Sequence, residues 1–149
     1  MSIPKPFMIT SAVLWSALAL GGCQQPHSHE QVTGTWEGTG HTINSSGRSQ
    51  TNKYLVLEVD EQGLVKGTSG WKLIEGPGGH DGDTPSTQNE ETVVGTFVPA
   101  TGEIHLVETE ENGYLHGTLL DQQRIRMVLV QPGEKHVAST FILTKVEED

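Results

Sequence analysis

The sequence predicts an all-β fold: a single eight-stranded antiparallel up-and-down β-barrel. After residue 32 the chain lacks the 3.6-residue apolar repeat of a helix, and short runs of alternating apolar and polar residues recur between turn residues. Most of these runs are joined by two to five residues, the length of a β-hairpin loop. Neighbours in sequence should therefore pair in the sheet, and eight strands in this order close into a barrel without free edges.

Eight runs are assigned as strands. Their bounds are residues 33–41, 53–60, 64–74, 92–98, 103–109, 114–121, 124–130 and 136–145. In the second run Leu55, Leu57 and Val59 share one face, and in the seventh Ile125 and Met127 do so. Side chains two residues apart lie on the same side of a strand, so these apolar sets indicate the barrel interior.

A Gly-Thr pair recurs in four of the predicted strands, and alternation places its glycine on the inward face. Glycine weakens a strand unless the backbone must bend or something must approach closely, so two interpretations are open. The glycines either permit strong coiling of a filled barrel or leave room for a ligand. The small inward residues are Gly38, Gly67, Ser69, Gly95, Gly117 and Ser139. The possible ligand pocket consists of Trp36, Gly67, Ser69, Trp71 and Phe97.

The first 31 residues lie outside the strand pattern and indicate export. Lys5 precedes fourteen uncharged residues, 7–20, and two glycines then lead to Cys23, the only cysteine. A membrane-spanning helix needs about 20 apolar residues, whereas this arrangement is typical of a secretory signal peptide. The sequence therefore predicts a signal peptide over 1–22, a flexible polar tether over 23–31 and a folded domain over 32–149.

The stretch Leu20-Gly21-Gly22-Cys23 resembles the bacterial lipobox, which is cleaved just before its cysteine. The resemblance implies lipidation at Cys23, with diacylglycerol on the thiol and a further acyl chain on the freed amine, which anchors the protein to a membrane. In bacteria with two membranes, an Asp directly after the lipobox cysteine tends to keep a lipoprotein at the inner membrane. This chain has Gln24 at that position. In a host with two membranes this implies the periplasmic face of the outer membrane. The alternatives are a signal peptide with an unmodified cysteine and an uncleaved helical anchor.

The segment VTGTWEG at residues 32–38 resembles the first strand of avidins and, more loosely, the Gly-x-Trp of lipocalins. The segments GLVKGTSGW and TFILTKV, at 63–71 and 140–146, continue the likeness to avidins. Both families are eight-stranded up-and-down barrels that bind small molecules, which is what the resemblance implies for the fold. Biotin is not expected, because the avidin pocket uses several tryptophans and an amide shortly after the first, where this chain has Glu37-Gly38-Thr39.

Composition and motifs argue against several functions. Nineteen acidic residues against nine Lys and Arg give a formal net charge of −10, which disfavours nucleic-acid binding. The chain has no HExxH and no P-loop, and GTSGW lacks the second glycine of a Gly-x-Ser-x-Gly elbow. Alternation directs His105 and His116 outward, as surface histidines. We therefore expect no catalysis and no cofactor.

The longest break between predicted strands covers residues 75–91. Long loops in compact domains are usually functional or disordered. His80, Asp81 and Asp83 form a weak candidate cation site there, although their spacing does not fit an EF-hand. A mobile acidic loop is the preferred interpretation.

These observations predict a lipid-anchored bacterial envelope protein that acts as a non-catalytic interaction or structural module. Its partners would be the membrane, through the acyl chains, and another envelope protein. The alternative is a barrel that binds a small hydrophobic ligand. A minor alternative is an inhibitor of an exported enzyme that uses the 75–91 loop. The inward glycines favour ligand binding, whereas the absence of a recognisable polar pocket favours the interaction module.

Overall fold

The computed structural model describes residues 26–79 and 86–147. These residues form one helical turn and eight strands. The elements are α1 (His29–Val32), β1 (Gly34–Asn44), β2 (Gly47–Val59), β3 (Leu64–Glu75), β4 (Gln88–Val98), β5 (Glu103–Glu108), β6 (Tyr114–Leu119), β7 (Arg124–Gln131) and β8 (Val137–Lys145). The predicted lipobox, Gln24 and the candidate cation set of His80, Asp81 and Asp83 lie outside the described residues.

The eight strands form one closed antiparallel barrel, which confirms the predicted fold. Each strand pairs with its neighbours in sequence, and β8 pairs with β1 to close the sheet. The predicted alternation also holds, since Leu55, Leu57, Ile125 and Met127 are all buried. Within the described ranges, no helix is long and apolar enough to span a membrane.

Three strands extend by three or more residues beyond the limits that the sequence predicts. Strand β1 continues to Asn44, β2 begins at Gly47 after a two-residue turn, and β4 begins at Gln88. The additional segments place polar residues such as Thr51 on the inward face, so the apolar alternation stops where backbone pairing continues. The break between β3 and β4 is consequently shorter than predicted and covers residues 76–87.

An apolar core fills the end of the barrel where β1 begins and β8 ends. Its members are Val32, Trp36, Leu55, Leu57, Val65, Val93, Phe97, Ile104, Leu106, Leu115, Leu119, Ile125, Met127, Leu129, Phe141 and Leu143. Burial of apolar surface at about 25 cal/mol per Å² is the main force that stabilises this end. The barrel is thus packed solid over part of its length.

Helix α1 covers this packed end. The indole Nε1 of Trp36 donates a hydrogen bond to the carbonyl oxygen of Val32 at 2.8 Å. The ammonium group of Lys145, at the end of β8, donates to the carbonyl oxygens of Glu30 and Gln31 at 2.9 and 3.1 Å. These bonds satisfy carbonyl groups at the end of the helical turn, which would otherwise lack partners. We call this the closed end of the barrel.

The structure corrects the predicted tether at its C-terminal side. The backbone N–H of His27 donates to the carbonyl oxygen of Pro99 at 2.8 Å, and the His29 ring contacts the Phe97 ring edge-on, with centroids 6.0 Å apart. Residues 27–31, assigned to a flexible tether, are therefore packed on the closed end. The tether lacks apolar residues, so the sequence pattern gave no sign that its backbone would be hydrogen-bonded to the barrel.

The inward glycines serve strand packing rather than an open interior. A Cβ atom added to Gly95 would lie 1.8 Å from the carbonyl oxygen of His105, and one on Gly67 would lie 2.0 Å from that of Val56. Both distances are far below van der Waals contact, so only glycine allows the neighbouring backbone to come this close. The same holds at Gly38, while Met127 fills the space beside Gly117. Of the two interpretations, the structure supports strong coiling at these positions.

Candidate ligand-binding site

The inward faces change from apolar to polar residues at a common level along the barrel. In β2 the inward residue Leu55 is preceded by Lys53 and Thr51, and in β4 Val93 is preceded by Glu91. In β5 Leu106 is followed two residues later by Glu108, and in β7 Leu129 is followed two residues later by Gln131. The barrel therefore has a polar half, which lies opposite the closed end.

A cavity of about 70 Å³ occupies this polar half. Most of the residues that line it carry a hydroxyl, amide, carboxylate or ammonium group, and the apolar side chains among them are Trp71, Leu129 and Val137. One water molecule needs about 10–15 Å³ of such space, so the cavity has room for several waters or one small molecule. Because the polar groups line a wall and do not fill the interior, this end of the barrel is hollow.

The β3–β4 connection is held against the mouth of the cavity. The side-chain amide of Asn44 donates to the carbonyl oxygen of Gly78 at 2.9 Å, and the Gly78 N–H donates to the Ser49 hydroxyl at 3.2 Å. The Gly79 N–H donates to the carbonyl oxygen of Ser86 at 2.9 Å. The β1–β2 hairpin thus fixes the first stem of this connection at Gly78, and the bond from Gly79 to Ser86 joins that stem to the second. Gly78, Gly79 and Ser86 contribute to the cavity wall.

Lys53 lies between the apolar core and the cavity. The residue is only 7% exposed, and its Nζ lies 5.4 Å from the ring centroid of Phe141 and 5.9 Å from that of Trp71. Both distances are in the range of cation–π attraction. Burial lowers the pKa of Lys53 to about 8, against the opposing effect of the Glu108 carboxylate. No residue in the described ranges forms a hydrogen bond or ion pair with this ammonium group.

Two carboxyl groups share the cavity with Lys53: that of Glu91, which is buried, and that of Glu108, which is half-buried. Glu91 accepts hydrogen bonds from the side-chain amide of Asn89 at 3.1 Å and from the Glu111 N–H at 3.2 Å. Burial raises the pKa of Glu91 in spite of these bonds. Burial, followed by the negative charges of Glu91 and Glu111, raises the pKa of Glu108 to about 7, although Lys53 acts against this shift. Near neutral pH, the Glu108 carboxyl group therefore exists in both protonation states.

The hydroxyl groups of the wall differ in how far they are satisfied. The Thr42 hydroxyl, which belongs to the wall, is hydrogen-bonded to the Ser139 hydroxyl at 2.7 Å. The Thr51 hydroxyl is buried and has no hydrogen-bond partner among the described residues. Buried polar groups are normally paired with protein or ordered water. Thr51 and Lys53, neighbours on the inward face of β2, thus present unmet polar groups to the cavity.

The structure separates the residues of the pocket predicted from sequence. Ser69 and Trp71 line the cavity. Trp36 and Phe97 belong to the core at the closed end, and the space beside Gly67 is taken by β2. Trp36, Phe97 and Gly67 do not line the cavity, because the cavity lies in the polar half of the barrel and these residues lie in the apolar half.

The charged members of the site were not anticipated, although the pattern contained a signal. In β2 and β4, Lys53 and Glu91 lie two residues before the first inward apolar residue. In β5, Glu108 lies two residues after the last one. Lys53 and Glu108 lie within the predicted strands 53–60 and 103–109, and Glu91 lies one residue before the strand 92–98. Applying the alternation to these polar ends would have placed all three side chains inside the barrel.

Comparisons with known proteins give a fold and no family. No protein-family profile and no curated protein matches the chain. A redesigned β-barrel, mFAP1, bound to DFHBI, matches with a TM-score of 0.54 and 11% identity, over 80% of this chain and 99% of that chain. A protein of unknown function from the DUF3598 family of Nostoc punctiforme matches with a TM-score of 0.51 and 13% identity, over 83% of this chain and 50% of that chain. The odorant-binding protein OBP1 matches with a TM-score of 0.47 and 18% identity, over 83% of this chain and 77% of that chain.

The two matches with TM-scores above 0.5 show a shared β-barrel fold. This chain spans half the length of the DUF3598 protein. At such low identities the likeness is one of fold alone, because a single fold carries many unrelated functions.

Proposed function

We propose that the protein is a binding barrel that holds a small polar molecule in the cavity at its open end. One observation carries the proposal: Lys53, a residue only 7% exposed, lines a cavity of about 70 Å³, and its ammonium group has no hydrogen bond from the described residues. A buried charge is costly unless it is paired and hydrogen-bonded. A ligand that accepts a hydrogen bond from Lys53 would meet this requirement.

The chemistry of the wall narrows the ligand class. Lys53 donates hydrogen bonds, Glu91 and the ionised form of Glu108 accept them, and Thr51 can do either. The ring of Trp71 adds a flat apolar surface. A small zwitterionic or hydroxyl-rich molecule, which both donates and accepts hydrogen bonds, satisfies these groups together. A purely hydrophobic ligand would leave the charged groups buried and unpaired.

This proposal favours the ligand-binding alternative over the solid interaction module predicted first. A barrel packed along its whole length would have continued its apolar layers where Lys53, Glu91 and Glu108 stand. The structure of mFAP1, which has a similar fold, is bound to DFHBI, so a barrel of this kind holds a ligand. The protein is proposed to bind its ligand without transforming it and to use no cofactor.

The proposed lipid anchor gives the cavity an orientation. Three residues separate Cys23 from His27, which is hydrogen-bonded to the closed end. Such a segment spans at most about 14 Å from Cys23 to His27, at about 3.5 Å per residue. If Cys23 is lipidated, the closed end faces the membrane and the cavity opens away from it. We propose this arrangement on the periplasmic face of the outer membrane, or on the cell surface side of a single membrane.

A thermal-shift screen tests the proposal. The purified protein is heated with and without each member of a library of small zwitterionic and hydroxyl-rich molecules. The change in melting temperature that each compound causes is compared with the change it causes in Lys53→Met. A ligand present at 100 times its Kd stabilises the folded state by about 2.7 kcal/mol, which raises the melting temperature measurably. We expect one chemical group of compounds to stabilise the original protein and not Lys53→Met.

The matched control is Lys72→Met, because Lys72 is exposed on the outer face of β3, beside Trp71 in sequence. It removes the same charge without touching the cavity and should keep the response. A response that is equal in the original protein and in Lys53→Met would contradict binding at this site. The proposal would also be contradicted if no compound of the library, and no fraction of a metabolite extract from the host, raised the melting temperature of the original protein.

A further inference from the structure

A second cluster of polar side chains lies on the outer face of the barrel, away from the cavity. His105 of β5 is paired directly with His116 of β6, and their rings stack with centroids 4.8 Å apart. Glu103, two residues before His105, lies on the same outer face. One ligand atom from each of these three residues lies within 4.8 Å of the other two. We call Glu103, His105 and His116 the outer cluster.

Neighbouring groups hold the outer cluster in position. The Thr101 hydroxyl donates to Oε2 of Glu103 at 2.9 Å, and Oε1 of Glu103 lies 3.9 Å from Nε2 of His116. Nδ1 of His105 is hydrogen-bonded to the hydroxyl of Tyr114. Metal-binding histidines and carboxylates are commonly oriented by such bonds from their second atoms.

One nitrogen of the cluster lacks a partner. Nε2 of His116 is buried from solvent and makes no hydrogen bond with any described residue. A distance of 3.9 Å to Glu103 is too long for a direct hydrogen bond but leaves space for an atom between them. The arrangement is incomplete as a hydrogen-bonded group, and a cation between the two side chains would complete it.

We propose that the outer cluster binds a divalent transition-metal ion, of which zinc is the representative. Two imidazoles and one carboxylate suit such ions, which bind nitrogen at about 2.0–2.1 Å and oxygen at about 2.0–2.2 Å. In tetrahedral geometry these bond lengths place ligand atoms about 3.4 Å apart. The three ligand atoms already lie within 4.8 Å of one another, and the two stacked imidazole rings would turn towards Glu103 to reach this separation. Three protein ligands leave one position for water or for a group from another molecule.

Zinc titration by calorimetry tests the proposal on the purified, untagged protein after treatment with a chelator. We expect one zinc ion per chain, and at least about tenfold weaker binding in His116→Ala, in His105→Ala and in Glu103→Gln. All three side chains are on the outer face, so the variants should fold normally, as their unchanged melting temperatures in metal-free buffer would verify. Tyr114→Phe should weaken binding less, because it removes a positioning contact only.

Two control variants separate this site from other zinc-binding groups. His41 is exposed on β1, and His80 belongs to the candidate cation set of the β3–β4 connection. His41→Ala and His80→Ala should bind zinc as the original protein does. Failure to bind zinc at micromolar concentration, or binding that survives in His105→Ala and His116→Ala, would overturn the proposal. Zinc binding lost in His80→Ala alone would also overturn it.

Discussion

The indole Nε1 of Trp36 donates a hydrogen bond to the carbonyl oxygen of Val32 at 2.8 Å, and neither residue is exposed to solvent. This bond connects the helical turn that covers the barrel to the first strand of its wall. It gives the Trp of the Gly-x-Trp segment two roles: the ring fills the core, and its N–H fixes α1 across the closed end. Because the core and α1 fill the closed end, the described cavity lies in the opposite, polar half of the barrel.

Replacement of Trp36 by Ala should lower the free energy of unfolding by about 3–5 kcal/mol, because a large buried side chain is lost from a packed core. Trp36→Phe should cost less, since it retains most of the ring volume and loses the bond to Val32. Chemical denaturation provides the measurement, with Trp71→Ala as the control, because Trp71 lines a cavity and should matter less for stability. A loss below about 1 kcal/mol for Trp36→Ala would contradict the assignment of the closed end.

Gly95→Ala should destabilise the barrel by about 1–3 kcal/mol, because the added Cβ would displace the backbone of β5. If the glycine instead left space for a ligand, the substitution would be tolerated and would affect binding alone. Ser69→Ala is the matched comparison on the same inward face, since it removes a hydroxyl from the cavity and forces no backbone shift. Equal unfolding free energies for the original protein and Gly95→Ala would refute the coiling role.

Lys53→Met should make the protein more stable at neutral pH, by up to about 3 kcal/mol, while abolishing ligand binding. Burial lowers the pKa of Lys53 from 10.5 to about 8, so the charged form is disfavoured in the folded state. Between these values the unfolded chain binds more protons, and stability of the original protein should rise with pH. Denaturation series at pH 7 and 10.5 test this: the stabilising effect of Lys53→Met should shrink at the higher pH, and a constant difference would be inconsistent with a buried ammonium group.

Glu108→Gln should flatten the pH dependence of stability below neutrality. The pKa of Glu108 is about 7 in the folded protein, against 4.5 ordinarily, so the folded state binds more protons between these values. Stability conferred by the protonated form is therefore present below about pH 4.5 and lost as the pH rises to about 7. Unfolding measured from pH 4.5 to 8 should show a shallower fall in Glu108→Gln. The control is Glu61→Gln in the exposed β2–β3 turn, which should follow the original protein.

Cys23→Ser should abolish lipidation and leave an uncleaved or mislocalised precursor. The prediction depends on the likeness of residues 20–23 to a lipobox, in which only the cysteine thiol accepts diacylglycerol. Intact mass and membrane fractionation, compared between the variant and the original protein in the native host, provide the measurement. An unchanged mass and an unchanged membrane fraction would exclude the anchor.

The barrel was predictable because its core obeys a simple rule. Apolar residues such as Leu55, Leu57, Ile125 and Met127 alternate with polar ones, and short turns join the strands in order. These features depend on local chemistry and on pairs of neighbouring strands. They define the number and order of the strands, and closure adds one pairing between distant parts of the chain, that of β8 with β1.

The cavity was not predictable in the same way. Lys53, Glu91 and Glu108 come from three strands and meet only after the barrel has closed. Lys53 and Glu108 fall within predicted strands and Glu91 just before one, but a polar residue at the end of an apolar alternation gives no sign that its side chain lines a cavity. The pairing of His105 with His116 likewise depends on the register of β5 against β6, which single-strand alternation does not determine.

The central claim is that the polar half of the barrel holds a small molecule, and native mass spectrometry of the protein purified gently from its own host tests it most directly. The account predicts a reproducible mass excess that is released on denaturation, present in Lys72→Met and absent in Lys53→Met. A bare mass for the original protein, under conditions that preserve other non-covalent complexes, would contradict it. An identical excess in Lys53→Met would also do so, because it would place the bound molecule away from the cavity.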